Sequence, residues 1–357
     1  MPSHPVDEMC RALGLRSVGV VALGSWPSPV RRLDGLSART GASVWIKDDG
    51  IAATGFGGNK PRKLELLLAE ARARSCDAVV TVGAIGSNQI VATAIYGKAV
   101  GFETYAIVHE RKLSSVADRD ITSILSAANH GVRFVPSAVA DVGEVLDDLL
   151  DELDDRAYVI PAGGSTPLGN LAFVAAAFEL ERQVAAGELP APDEIVVALG
   201  TGGTAAGLAV GCALAGLASR IVGVRVAGRD VLEPATVDRQ ITALLAQLRT
   251  LGWQGDARPA ASVTFVDDQL GAGYGDATEA ADAAIALASE LDGVVLEPTY
   301  TGKAMAGLLA RAPSLTGRNV LFWNTANAVP LGAVDESKLR EDALPPQLRK
   351  WLWPDRA

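Results

Sequence analysis

From Asp77 onward, short and fully apolar runs alternate with longer stretches of helical periodicity. Ala78-Val79-Val80-Thr81-Val82 reads as a strand, residues 83–89 as a loop and roughly 88–100 as a helix. Strands are predicted at 104–108, 132–135 and 158–160, separated by helices over 117–130 and 139–154. A loop at 161–169 opens a helix to about 186, a strand follows at 194–198, and another loop opens a helix to about 217. Further strands are expected near 220–226, 263–266, 294–296 and 319–323, with helices between them. Before Asp77, a helical pattern runs over 6–15, an extended or turn segment over 26–30 and a strand over 43–47. Strands without a polar face, alternating with helices, indicate parallel sheets covered on both sides and joined by right-handed crossovers. The fold class is α/β.

A second kind of pattern stands at 55–70. Gly55-Phe56-Gly57-Gly58-Asn59 runs into Lys60, Pro61 follows, and then comes an apolar helical pattern with charges on its other face. Proline suits a first helical turn and Asn59 suits a cap, so Lys60 should sit where a glycine loop becomes a helix. Taken alone, a solvated lysine at a helix start explains the segment equally well.

Composition narrows the field. A formal charge of -10, with no basic stretch, argues against nucleic acid or an anionic membrane as partner. Cys10, Cys76 and Cys212 are odd in number and far apart, and His4, His109 and His130 are isolated, so neither a disulfide framework nor a metal site is expected. The N-terminus lacks a basic-then-apolar signal pattern and no apolar run reaches membrane length, which makes a cytoplasmic enzyme or binding protein the expectation.

In open parallel sheets, ligands bind beyond the carboxyl ends of the strands. Four loops have that position. Gly200-Thr201-Gly202-Gly203-Thr204 follows a strand and opens a helix, so its amides and hydroxyls can converge on one anion. It is neither a dinucleotide fingerprint nor a P-loop, because Ala205 stands where a third glycine would and no Lys-Ser/Thr pair follows. Ser87-Asn88-Gln89 also opens a helix and suits a carboxylate and a ring hydroxyl, although simple capping explains it alone. Gly164 and Ser165 lie in a third such loop. The fourth carries Tyr300 and Thr301, with Asn324-Thr325-Ala326-Asn327 after the last strand and Tyr274 as a possible neighbour.

A lysine on a glycine loop together with a phosphate cradle suggests a cofactor bearing an aldehyde and a phosphate, namely pyridoxal 5'-phosphate. Of the eight lysines, Lys60 is the one flanked by glycines, and Lys63, one turn on, is the fallback. A non-catalytic or nucleotide-binding α/β protein, with residues 200–204 on a nucleotide phosphate, is the reading from another class.

Six stretches in order now carry a resemblance: 57–65, 87–89, 163–165, 201–204, 273–275 and 300–305. The chain resembles the tryptophan-synthase-β superfamily of pyridoxal-phosphate enzymes (fold type II). Within it, the likeness is to the group of D-cysteine desulfhydrases and 1-aminocyclopropane-1-carboxylate deaminases. The resemblance covers roughly residues 20–332. It implies two open parallel-sheet lobes with helices on both faces and the cofactor in the cleft between them. The larger, cofactor-binding domain would comprise 1–65 and 176–357, and the smaller inserted α/β domain 66–175.

The same resemblance implies roles. Lys60 carries the cofactor and then moves the Cα proton. Asn88 bonds the ring hydroxyl, and Thr325 faces the pyridine nitrogen. Gly200, Thr201, Gly202, Gly203 and Thr204 hold the phosphate. Ser87, Asn88, Gln89, Gly164, Ser165 and Tyr300 bind the substrate, with Ser87, Tyr300 and Tyr274 assisting catalysis. The position after Tyr300 is glutamate in the cyclopropane-opening enzymes, where it keeps the pyridine nitrogen charged. Here it is Thr301, and hydroxyls supply no charge, which favours elimination of a good leaving group over C–C cleavage. Ala326-Asn327 replace two glycines usual in the family, and Asp276-Ala277-Thr278 replace a proline-containing stretch. The activity implied is α,β-elimination on a small β-substituted amino acid, giving pyruvate, ammonia and, from D-cysteine, sulfide. Ring-opening deamination or β-replacement is the alternative. A homodimer is implied by the family alone.

Overall fold

The computed structural model describes residues 3–111, 116–154, 156–229, 231–255, 261–331 and 343–354. Among these residues, the strands in chain order are β1 (Val30–Arg32), β2 (Ser43–Asp48), β3 (Ala78–Ala84), β4 (Glu103–His109) and β5 (Arg133–Ser137). Next come β6 (Ala157–Ile160), β7 (Glu194–Leu199), β8 (Arg220–Arg225), β9 (Val263–Val266) and β10 (Asn319–Asn324). They form a six-stranded sheet, β1-β2-β10-β7-β8-β9, and a four-stranded sheet, β5-β4-β3-β6. The pairings are parallel except for β1 with β2, which is antiparallel. By its internal contacts the chain divides into two compact units, one of Met1–Leu66 with Ser165–Val329 and one of Leu67–Gly164 with Pro330–Ala357.

In the larger unit, period-2 alternation on apolar strands fills two cores. Val320 and Phe322 of β10 pack with Val44, Ile46, Val196, Met305 and Leu308. Leu321 and Trp323 point the other way, to Ile195, Val197, Phe173, Leu208 and Ile241. Successive side chains of a strand face opposite sides, so a strand buried on both faces has no polar positions to show. Each large apolar side chain buried this way stabilises the fold by roughly 1.5–3 kcal/mol. β10 lies between β2 and β7, with Phe322 opposite both Ile46 and Val196. This places the loops after β2, β7 and β10 at one end of the sheet.

The smaller unit repeats the scheme around four strands. Ala106 and Val108 of β4 pack with Ile90, Ile124, Phe134, Leu344, Leu348 and Leu352. Tyr105 and Ile107 pack with Ala78, Val80 and Leu149 on the opposite side.

The structure departs from the sequence expectations in four places. Residues 294–296 form no strand: Val294 N–H closes the preceding helix on Ala288 O, and Val295 O accepts from Asn324 Nδ2 at 3.4 Å. The segment at 26–30 ends in the edge strand β1, whose antiparallel pairing breaks the all-parallel expectation. The larger unit resumes at Ser165 rather than 176, because the helix Pro167–Ala185 buries Leu171, Phe173, Ala176 and Leu180 in that unit's core. Residues 330–357 group with the smaller unit, where Leu344, Leu348 and Leu352 complete a core.

Candidate active site

The helix Asn59–Ala73 follows a tightly folded glycine loop. A Cβ on Gly57 would lie 1.7 Å from Gly50 O, and one on Gly58 (φ +82) would lie 2.4 Å from Thr325 O. Only glycine lets the backbone pass so close, and the passage is used. Gly58 N–H donates to Asp49 O (2.8 Å) and Asn59 N–H to Thr325 O (3.2 Å). Asn327 Oδ1 accepts from Gly57 N–H at 2.6 Å and from Val329 N–H at 3.0 Å. Asn327, standing where the resemblance implies a glycine, is thus a clasp on the lysine loop. At the helix start, half-buried Lys60 donates from Nζ to Asn59 Oδ1 (2.7 Å), and Asn59 Nδ2 donates to Thr204 Oγ1 (3.1 Å). Burial pushes the Lys60 amine down to about 8, while the Glu297 carboxylate pulls the other way.

The charges expected on a solvated face of this helix are instead buried. Arg62 forks between Asp49 and Glu179, with Nε and Nη2 on Asp49 (2.9 and 2.8 Å) and Nη1 and Nη2 on Glu179 (both 2.9 Å). Its guanidinium lies 3.7 Å from the Trp26 ring centroid. Lys47 Nζ lies 2.6 Å from Glu179 Oε1, and Trp323 Nε1 donates to Asp49 Oδ2 at 2.8 Å. Burial alone would raise the Glu179 carboxyl, but Arg62 and Lys47 outweigh it and hold the group down at about 2. Glu65 accepts from Leu23 N–H, Gly24 N–H and Trp26 Nε1. These partners lie 13 to 117 residues from Arg62 in sequence, so helical periodicity could not reveal them.

The glycine-threonine loop meets the same helix. Gly202 is left-handed (φ +90), and Gly203 begins the helix Gly203–Ala215. A Cβ on Gly203 would stand 2.1 Å from Asn170 Oδ1, 2.5 Å from Ser165 Oγ and 2.7 Å from Lys63 Nζ. Lys63 Nζ donates to Ser165 Oγ (3.1 Å) and Asn170 Oδ1 (3.3 Å), and the Ser165 and Thr201 hydroxyls are hydrogen-bonded at 2.7 Å. Burial and then the Lys60 charge lower the Lys63 amine well below its ordinary value. A dianionic phosphate fits these residues. It supplies the negative charge two neighbouring buried amines call for, at a helix N-terminus rimmed by hydroxyls. Sequence reasoning kept Lys63 only as a substitute for Lys60. Its i, i+3 spacing puts both amines on one helical face, and that signal was available. Gly203→Ala is expected to weaken cofactor binding roughly tenfold or more, since overpacking costs about 1–3 kcal/mol. Equilibrium dialysis with pyridoxal phosphate checks this, and unchanged affinity would place the phosphate elsewhere.

Tyr300 stands on Gly200, where an added Cβ would meet its Cε1 at 3.3 Å. Its hydroxyl bonds that of Tyr274, and the two rings meet edge-on with centroids 5.7 Å apart. Thr301 is fully buried, and its hydroxyl accepts from Glu297 N–H at 3.0 Å. Thr325 is half-buried and joins the lysine loop through its carbonyl. Within the larger unit, the structure therefore brings together Lys60, Ser165, Gly200 to Thr204, Tyr274, Tyr300 and Thr325.

Ser87, Asn88, Gln89 and Gly164 belong to the smaller unit. Ser87 caps the helix Asn88–Ala99, its Oγ accepting from Gln89 N–H at 3.3 Å. Gln89 Nε2 is committed to Thr93 Oγ1 (2.9 Å), and its Oε1 is buried without a partner among the described residues. Gly164 takes a left-handed turn (φ +58) before the helix Pro167–Ala185. No cluster of three metal-ligating side chains occurs among the described residues, and no described helix is long and apolar enough to cross a membrane.

A family model described as pyridoxal-phosphate dependent enzyme matches residues 21–326. The chain belongs to this pyridoxal-phosphate-dependent family. The fold-type-II likeness and the cofactor read from the sequence agree with it. A D-cysteine desulfhydrase of Klebsiella pneumoniae (strain 342) is 34% identical over 318 residues, spanning 86% of this chain and 93% of that one. The crystal structure of an ACC deaminase homologue superposes with a TM-score of 0.75 at 30% identity, covering 91% of this chain and 96% of that one. A threonine deaminase isoform from Solanum lycopersicum shares the fold, with a TM-score of 0.62 at 16% identity over 94% of this chain and 92% of that one.

Proposed function

We propose that this pyridoxal-phosphate enzyme is a lyase that eliminates a leaving group from Cβ of a small amino acid, with D-cysteine as the model substrate. The single observation carrying this reading is the Lys60 amine, held at about 8 by burial and set one residue from the Asn59 bridge to Thr204. When bound, pyridoxal phosphate supplies the electron sink that lets a Cα proton leave. The chain's own residues do the rest. Lys63, Ser165, Thr201, Thr204 and the amides of Gly200 to Gly203 hold the phosphate. Thr325 is assigned to the pyridine nitrogen and Asn88 to the ring hydroxyl. Ser87, Asn88 and Gln89, with Gly164 and Ser165, are assigned to the substrate, and the helix-capping position of the first three suits a carboxylate.

Lys60 takes the Cα proton, which is efficient because an amine near 8 is partly neutral at working pH. The Tyr274–Tyr300 hydroxyl pair can hold the proton that the leaving group requires. Loss of the Cα proton and of the Cβ substituent leaves an enamine acid that water converts to pyruvate and ammonia. Thr301, uncharged and tied to Glu297, favours this over ring opening.

The test is a product screen on the holoenzyme. Pyruvate and sulfide from D-cysteine, exceeding 2-oxobutyrate from 1-aminocyclopropane-1-carboxylate by roughly tenfold or more in kcat/KM, is the expected result. The reverse ranking would make ring opening the reaction. The resemblance further supports a cytoplasmic homodimer, which light scattering and fractionation would test.

A further inference from the structure

Glu297 lies between the helices Glu279–Asp292 and Thr301–Ala310, and sequence reasoning gave it no role. Its Oε2 accepts from Thr299 N–H at 2.9 Å, and its Oε1 accepts from Tyr300 N–H at 2.8 Å and Thr301 N–H at 2.9 Å. Its own N–H donates to Thr301 Oγ1 (3.0 Å), and its carbonyl accepts from Gly302 N–H (2.8 Å). One residue thus satisfies the orphan donors of the helix start, in the reciprocal manner of a capping box. What it fixes is Tyr300, whose backbone (φ -121, ψ -68) is neither helical nor a standard extended cap. The same turn governs Tyr274. Two residues beyond Thr301, buried Lys303 donates to Leu270 O (2.7 Å) and Gly273 O (3.0 Å), holding the loop that presents Tyr274 to Tyr300.

Glu297 also acts on Lys60. Burial favours the neutral form of that amine, and the Glu297 carboxylate favours the ammonium form. Asp49, Arg62, Glu179 and Lys47, near the same helix start, are paired among themselves.

We propose that Glu297 is a positioning residue for the tyrosine pair, setting the turn that carries Tyr300 and the helix start from which Lys303 holds the Tyr274 loop. The proposal rests on the reading of Tyr300 and Tyr274 as groups beside the substrate.

The turn-setting role is read on the holoenzyme. Glu297→Gln and Glu297→Asp should each lose kcat by about tenfold, with KM changing less, because the tyrosine pair is displaced while other substrate-binding groups remain. Full kcat in both variants while Tyr300→Phe is impaired would overturn that role. Failure of the reading of the tyrosine pair would instead appear as full kcat in Tyr300→Phe.

Discussion

Lys60→Ala is expected to lower turnover by about 10³-fold or more and to abolish covalent attachment of the cofactor. The glycine loop is pressed against Gly50 and Thr325 and clasped by Asn327, so the helix start has little freedom. Asn59 holds Lys60 Nζ and reaches Thr204 of the loop proposed to hold the phosphate. Burial holds the amine at about 8, so its neutral fraction rises as pH passes from 7 to 9. Recombination of the stripped chain with pyridoxal phosphate should accelerate over that interval. Borohydride reduction of the holoenzyme followed by peptide mapping should find the cofactor on Lys60. Lys63→Ala should weaken cofactor binding yet leave that site of attachment unchanged. Cofactor trapped on Lys63, or near-native turnover in Lys60→Ala, would defeat the assignment.

Arg62→Met should destabilise the protein by about 3–5 kcal/mol, the usual consequence of removing one partner from a buried ion network. Asp49 and Glu179 would each lose a forked donor in the interior, with Lys47 left to answer Glu179 alone. The effect has a pH signature. Glu179 is held at about 2, below its ordinary 4.5, so the stability it contributes is present above about pH 4.5 and lost as pH falls toward 2. Native and Arg62→Met proteins should therefore converge in stability as acid protonates Glu179. Urea denaturation at pH 7 and pH 3.5 checks this, and a gap as wide at the lower pH would show that the network is not the cause. Lys60 sits two residues from Arg62 on the same helix, so the cofactor site should loosen with it.

Most of the sheet architecture was legible because buried parallel strands write themselves as unbroken apolar runs. β3, β4, β7 and β10 stand where Val79, Ile107, Val196 and Leu321 placed them. Val294-Val295-Leu296 carries the same local signal yet forms no strand, since its partners are Ala288 and Asn324 rather than a neighbouring strand. The glycine loops were legible too, because close backbone passage excludes other residues at Gly57, Gly58 and Gly203. The partners of Arg62 and Lys63 were not. A charged residue reads the same whether water or a distant carboxylate meets it, and these contacts join segments up to 117 residues apart. The C-terminal assignment failed for a related reason: Leu344, Leu348 and Leu352 show an apolar face but not which core receives it.

The strand order bears on how the chain can be made. β2 pairs with β1 on one side and with β10 on the other, so among the described residues the strand leading to Lys60 pairs into the main sheet through residues 319–324. The four-stranded sheet is complete by Ile160, but part of its core comes from Leu344 to Leu352. A ribosome delivers residues in order, and here neither unit can finish before the other is well under way. Each must wait as an incomplete core with exposed apolar positions while later chain emerges. Acquisition of the cofactor site is therefore a late event in biosynthesis, and a nascent chain halted before β10 carries the lysine without the frame that makes it reactive.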